Sequence, residues 1–176
     1  MKKLILTVAI LLAATTLKAQ EKIQWMDFEE AVAACSMNPK KIFVDVYTNW
    51  CGWCKKMDQT TFSDPAVIQY MNEHFYAVKF NAERTDPVRF DGQTYVYVTG
   101  PDGKRGVHQL AAAMLNNRMS YPSYVIFNEE VENVQVVPGY QKPEGFLPIL
   151  HFFGENAYLS ETLNEFYTEY LKREQH

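Results

Sequence analysis

The chain has 176 residues, 47% of them hydrophobic and 22% charged, with a formal net charge of −4. These are ordinary values for a globular protein and leave enough apolar material for one domain with its own core. They exclude a disordered chain, and with no basic block nucleic acid is not an expected partner.

The amino terminus reads as a leader. Met1-Lys2-Lys3 is basic, Leu4 to Leu17 is apolar apart from Thr7, Thr15 and Thr16, and Leu17-Lys18-Ala19 ends on a small residue. This is a secretory signal-peptide pattern, with cleavage expected after Ala19. Residues 1–19 are therefore expected to leave, and residues 20–176 to form the domain. The apolar run is short of the roughly 20 residues that span a bilayer, so no stable membrane insertion is expected after cleavage. The expected location is periplasmic or secreted.

Asp27 and Glu30 have capping-box spacing, and Phe28, Ala31, Val32 and Cys35 then share one helical face. Asn38-Pro39 stops that helix. Ile42 to Tyr47 is a β-branched and apolar run interrupted only by Asp45, the pattern of a strand buried on both faces. A Cys pair follows at once, and Lys55 to Thr60 reads as helix. Asp64 caps a further helix with Pro65 at its first position, and Ile68, Met71 and Phe75 carry its apolar stripe. Tyr76 to Asn81 is the next strand.

Residues 83–105 read as an insertion. Within it Gln93 to Thr99 alternates like one exposed strand, and Pro101-Asp102-Gly103 is a turn. Val107, Leu110, Ala111 and Met114 form another helical stripe. Tyr124 to Asn128 and Val131 to Val137 are strands joined by an acidic turn. Two amphipathic helices near Pro143–Phe153 and Ser160–Arg173, broken at Gly154, close the chain. The order predicts an α/β fold with a mixed sheet.

Three cysteines are present. Export permits disulfides, but a disulfide scaffold would want an even number at wide spacing. Cys35 is expected as a buried, inert thiol. No metal site is expected, because one Cys pair supplies two ligands and His74, His108 and His151 show no second paired spacing.

Trp50-Cys51-Gly52-Trp53-Cys54 stands where a buried strand hands over to a helix. Two Cys three apart at a helix start can close a small disulfide or open to a dithiol with little movement. The first is expected at the mouth of the helix, open to solvent, where unpaired backbone N–H groups favour an anion. Lowering a thiol from pKa ~8.5 to ~7 raises its thiolate fraction at neutral pH about 15-fold. The accompanying loss of nucleophilicity returns about a factor of 4 or 5. Proximity is worth more: effective molarities of well-oriented intramolecular steps reach ~10⁵ M, so Cys54 is the residue that makes resolution fast.

The stretch from Phe43 to Lys55 resembles the active-site strand and helix of the thioredoxin family, and within it the exported branch that includes the soluble domain of periplasmic disulfide-interchange proteins. The resemblance covers about residues 42–139. It implies a thioredoxin-like fold, a central mixed β-sheet flanked by helices, with the insertion placed before the third core helix and an extended C-terminal helical tail. It implies thiol–disulfide exchange through a mixed disulfide, with Cys51 attacking and Cys54 resolving, and no cofactor beyond the Cys51–Cys54 pair. Asp45 falls where the family has a buried acid behind the resolving Cys, and Lys79 where a lysine neighbours that acid. Pro122, in Tyr121-Pro122-Ser123, falls where the family has a cis-proline facing the Cys pair. Trp50, Gly52, Trp53 and Tyr121 would complete a rim for extended client segments.

Implied partners are protein or small-molecule disulfides and an envelope electron donor. Gly52-Trp53 carries no cation between the cysteines, which favours a reductant over an oxidant. An oxidase or isomerase using the same residues, or a non-catalytic client-binding module, is the alternative.

Overall fold

Five strands form the central sheet of the computed structural model, which describes residues 22–101 and 103–173. The expected leader, and Asp102 of the expected turn, lie outside the described residues. In chain order the elements are β1 (Trp25–Met26), α1 (Phe28–Met37), β2 (Lys41–Tyr47), α2 (Gly52–Gln59), α3 (Pro65–His74), β3 (Phe75–Asn81), β4 (Val88–Phe90), β5 (Gln93–Tyr95), β6 (Tyr97–Val98), β7 (Val107–His108), α4 (Gln109–Met114), β8 (Ser123–Phe127), β9 (Asn133–Pro138), α5 (Pro143–Gly154) and α6 (Leu163–Arg173). The sheet order is β1-β3-β2-β8-β9, with β1 and β2 parallel to β3, and β8 antiparallel to both β2 and β9. This is the predicted α/β fold with a mixed sheet and a helical tail, and the segment expected as an insertion carries the short strands β4, β5 and β6.

Strand β2 occupies the centre, which explains its apolar run. Ile42, Val44 and Val46 face a core with Phe28, Ala31 and Cys35 of α1 and Leu110 of α4. Phe43 faces a second core with Met57 of α2, Met71 of α3 and Phe146 of α5. Successive side chains of a strand point to opposite faces, so Asp45 shares the face of Phe43, under α2. Local signals act as read. Asp64 Oδ1 accepts the N–H groups of Ala66 and Val67 with Pro65 at the first helical position, and the Glu30 carboxylate accepts the N–H of Asp27 at 3.2 Å.

Several boundaries differ from expectation. The stretch Gln93 to Thr99 is not one strand. β5 pairs with β4 across Asp91-Gly92, both at positive φ as a two-residue hairpin turn requires, whereas β6 pairs with β7. The break falls at Val96, whose backbone N–H and C=O are both taken by Gln109. Val107 belongs to β7 rather than to a helical stripe, and Phe75 opens β3 rather than ending α3. The first tail helix ends at Gly154, as expected, and α6 follows after a break. Gly154 is the last residue of α5, where a side chain would collide with Tyr70, and the chain turns at Asn156, φ 62°. α6 starts at Leu163, behind a box in which Thr162 and Glu165 bond each other.

His108 ties the insertion to the core. It is fully buried; its Nδ1 accepts the N–H of Leu110 at 3.2 Å, and its Nε2 reaches the carbonyl of Asp86 at 3.2 Å. The neutral ring with its proton on Nε2 satisfies both bonds. Burial is the largest influence and lowers its pKa. The unfolded chain, near 6.5, therefore takes up the proton first. This share of stability is complete above that pKa and is lost as pH falls below it. Urea unfolding of His108→Gln should show a loss of about 1–2 kcal/mol at pH 7.5 that shrinks by pH 5. Equal losses at both pH values would contradict the neutral cap.

Candidate active site

Cys51 is the N-cap of α2 and Cys54 its third residue, the geometry in which a capping side chain accepts a backbone N–H. Here the acceptor is sulfur: the N–H of Cys54 donates to Cys51 Sγ at 3.0 Å. The two are joined by a disulfide, with Cα atoms 5.3 Å apart. The donor that meets Cys51 Sγ in the disulfide can also stabilise its thiolate after reduction.

The leading sulfur is not open to solvent, contrary to the expectation from its place at a helix start. Cys51 is only 5% exposed and Cys54 3%. Cys51 is folded back onto its own helix terminus, where its sulfur accepts the Cys54 N–H, while the neighbouring indoles project. Trp50 is 49% and Trp53 62% exposed. Gly52 is exposed, and a side chain there would meet nothing, so packing does not explain the glycine.

On β2 and β3, register brings the two predicted ionisable residues together. Asp45 and Lys79 are direct partners in the parallel ladder of β2 and β3. Lys79 Nζ lies 2.8 Å from Asp45 Oδ2 and also contacts Asp58 of α2. Lys79 thus links the buried strand carboxylate to the active-site helix. Its ammonium is boxed by the rings of Trp25, Tyr47 and Phe62 at 5.0 to 5.3 Å. Burial pushes the Asp45 carboxyl up to about 6, against the opposing pull of Lys79. Burial lowers the Lys79 pKa, but Asp45 and Asp58 outweigh it and hold the ammonium above its usual value. Asp45 Oδ1 is buried without a hydrogen-bond partner among the described residues. A cavity of about 380 Å³ lined by Lys79, Asp58, Trp25 and Phe62 reaches the lysine from outside.

On the opposite flank the Tyr121–Pro122 peptide bond is cis, and Pro122 is buried. The Tyr121 ring meets Trp50 edge-on at 5.9 Å.

Four neighbours escape the sequence reading. Asp58 sits one helical turn beyond Cys54, a spacing that could have flagged it. Tyr140 packs against Trp53 at 5.3 Å. Glu83 accepts the indole N–H of Trp50 at 2.9 Å, and Arg105 lies over its face at 4.8 Å. Nothing in the sequence points these last three at the Cys pair.

A disulfide-forming Cys pair at a helix N-terminus, on a mixed sheet flanked by helices and with a cis-proline loop alongside, is the architecture of thioredoxin-type proteins. The chain belongs to the thioredoxin-like domain family, whose model matches residues 28–154. Among curated proteins, it is 37% identical to the thiol:disulfide interchange protein DsbD of Pseudoalteromonas atlantica over 46 residues, 26% of this chain and 8% of that protein. It is 29% identical to the DsbD of Campylobacter jejuni (strain RM1221) over 75 residues, 43% of this chain and 13% of that protein. The chain thus matches only a small part of the length of these relatives.

Solved structures share the fold at low identity. A thioredoxin-fold protein from Helicobacter pylori aligns at TM-score 0.56 and 22% identity, over 77% of this chain and 82% of that one. A DsbH oxidoreductase aligns at 0.55 and 15%, over 80% and 90%. A putative disulphide-isomerase from Bacteroides thetaiotaomicron aligns at 0.53 and 24%, over 81% and 98%. Among the described residues no helix is long and apolar enough to cross a membrane.

Proposed function

We propose that this protein is an exported thiol–disulfide oxidoreductase that reduces disulfides in client proteins. The observation that carries the reading is the Cys51–Cys54 disulfide at the start of α2, with a backbone N–H aimed at Cys51 Sγ. In the reduced protein the Cys51 thiolate attacks a client disulfide. A Cys51–client bond forms, and the client's other sulfur leaves as a thiolate that takes a proton. Cys54 loses its proton and attacks Cys51 Sγ. The mixed disulfide breaks, the Cys51–Cys54 bond closes, and two electrons have passed to the client. An envelope dithiol donor must then reopen the pair.

Asp45 is the acceptor for the Cys54 proton, directly or through water, and Lys79 with Asp58 adjusts its affinity for that proton. The cavity beside Lys79 and Asp58 gives the buried carboxyl a way to exchange protons with solvent. Trp50, Gly52, Trp53 and Tyr121 form the docking rim, with Pro122 holding the loop beside the disulfide. Because the sulfurs are recessed, a client must enter between the indoles, which favours extended or unfolded segments. The backbone of Tyr121 makes no turn or loop hydrogen bond to another backbone group among the described residues, so it is available to pair with such a segment. Cleavage after Ala19 would release the domain into the envelope.

The purified protein should accelerate the reduction of insulin by dithiothreitol, seen as precipitation of the freed B chain. No acceleration over dithiothreitol alone would leave a binding module as the better reading. The potential of the Cys51–Cys54 couple then decides direction: about −270 mV indicates a reductant and about −120 mV an oxidant.

A further inference from the structure

The insertion builds a groove that leads away from the disulfide. β6 and β7 pair beside Trp50, and the loop between them closes tightly. A side chain at Gly106 would run into the backbone of Val98 and Thr99, and the Gly106 N–H donates to Tyr97 Oη at 2.7 Å. The base is pinned by the Val96–Gln109 bonds and by buried His108. Between this hairpin and the segment Met119–Tyr121 lies a groove of about 630 Å³, with Val98, Pro101, Val107 and Met119 as apolar walls.

Two charges mark its rim. Glu83 is engaged by the Trp50 indole N–H. Arg105 is exposed and lies over the Trp50 ring. The groove starts beside the Cys pair: its lining residue Trp50 is bonded in the chain to Cys51, and its lining residue Tyr121, which meets Trp50 edge-on, precedes the cis Pro122.

We propose that the insertion is a specificity device: its groove takes the client segment flanking the cysteine under attack, with a large apolar side chain between the hairpin and Met119 and a carboxylate facing Arg105. The proposal rests on the oxidoreductase reading above and adds a substrate class to it. The volume suits one large side chain and its neighbour. A segment pairing with the Tyr121 backbone would send alternate side chains to opposite sides, one set toward the groove. A guanidinium already placed over an indole presents its donors to an anion at reduced entropic cost.

The test uses two cystine peptides alike except for Asp or Lys beside a Phe-flanked cysteine, with bis(2-hydroxyethyl) disulfide as a substrate too small to span the groove. Turnover is driven by dithiothreitol. The protein should favour the Asp peptide through KM. Arg105→Glu should lower the Asp-to-Lys ratio of kcat/KM about tenfold, and Arg105→Lys should keep most of it. Val98→Asp should weaken both peptides relative to the small disulfide. If the Asp-to-Lys ratio does not move in Arg105→Glu, or if all three substrates change alike, the hairpin merely props Trp50 and the proposal is overturned. If the oxidised protein instead dimerises with the groove covered, the client assignment is likewise overturned. Failure to turn over any of the three substrates would remove the redox reading, and this proposal with it.

Discussion

In Cys54→Ser, client proteins should remain covalently attached to Cys51, and in Cys51→Ser they should not. The asymmetry follows from position. Cys51 is the helix N-cap with an N–H directed at its sulfur, whereas Cys54 lies within the helix. In the proposed mechanism, attack by Cys51 consumes the client disulfide and leaves a mixed disulfide. Only Cys54, held three residues away and already within bonding reach, resolves it intramolecularly. Its effective concentration of ~10⁵ M or more is what serine removes. Resolution then depends on thiols in solution, so the mixed disulfide accumulates. Turnover in Cys51→Ser should fall at least about 10³-fold, because the nucleophile itself is gone. Non-reducing gels followed by mass spectrometry read both variants. Equal trapping by the two would reverse or erase the assigned roles.

Asp45→Asn should slow the enzyme and stabilise the protein at the same time. The carboxyl is fully buried, and burial raises its pKa to about 6. At pH 7 it is mostly ionised and, in the proposed mechanism, can take the Cys54 proton; below about 6 it is mostly protonated and cannot. Turnover of the unaltered protein should therefore fall as pH drops through about 6. In Asp45→Asn turnover should be about ten- to a hundredfold lower at pH 7, with that limb of the profile gone.

The stability effect has the opposite sign. The unfolded carboxyl, near 3.9, releases its proton before the folded one does. This contribution to folded stability is complete below the unfolded pKa and is lost as pH rises to and through the folded value. A shift of this size corresponds to roughly 3 kcal/mol at pH 7, of which asparagine should recover about 1–3 kcal/mol. Urea unfolding at pH 7.5 and pH 3.5 tests this, and the gain should vanish at the lower pH. Lys79 keeps Asp58 as its partner in the variant, so its charge is not stranded. A variant with unchanged kinetics would reduce Asp45 to a structural residue.

Much of the scaffold is legible because local chemistry and tertiary packing agree. The run Ile42 to Tyr47 reads as a doubly buried strand and is the central strand β2. Asp64-Pro65 reads as a helix start and is one. The insertion is harder, since its elements are two or three residues long and too short to show a period. Gln93 to Thr99 alternates like a strand, yet Gln109 captures Val96 and sends the halves to different partners. Gly154 reads as a helix breaker and does end α5, but the need for glycine there comes from close packing of Tyr70 from another helix, which no local signal shows. The depth of Cys51 is illegible for a similar reason: the spacing of two cysteines shows that they can meet, not how far below the surface they sit.

By itself the sequence determined the Cys51–Cys54 pair at a helix start, the buried Asp45 and the central strand that carries it, because each rests on residues close in the chain. Only the tertiary structure decided which distant groups act on that pair. Parallel register set Lys79 against Asp45, helix packing brought in Asp58, and a hairpin from the insertion laid Arg105 on Trp50 while Glu83 took its indole N–H. Such contacts join residues tens of positions apart, and no local propensity or spacing encodes them. They depend on how whole elements stack, which is settled when the core closes.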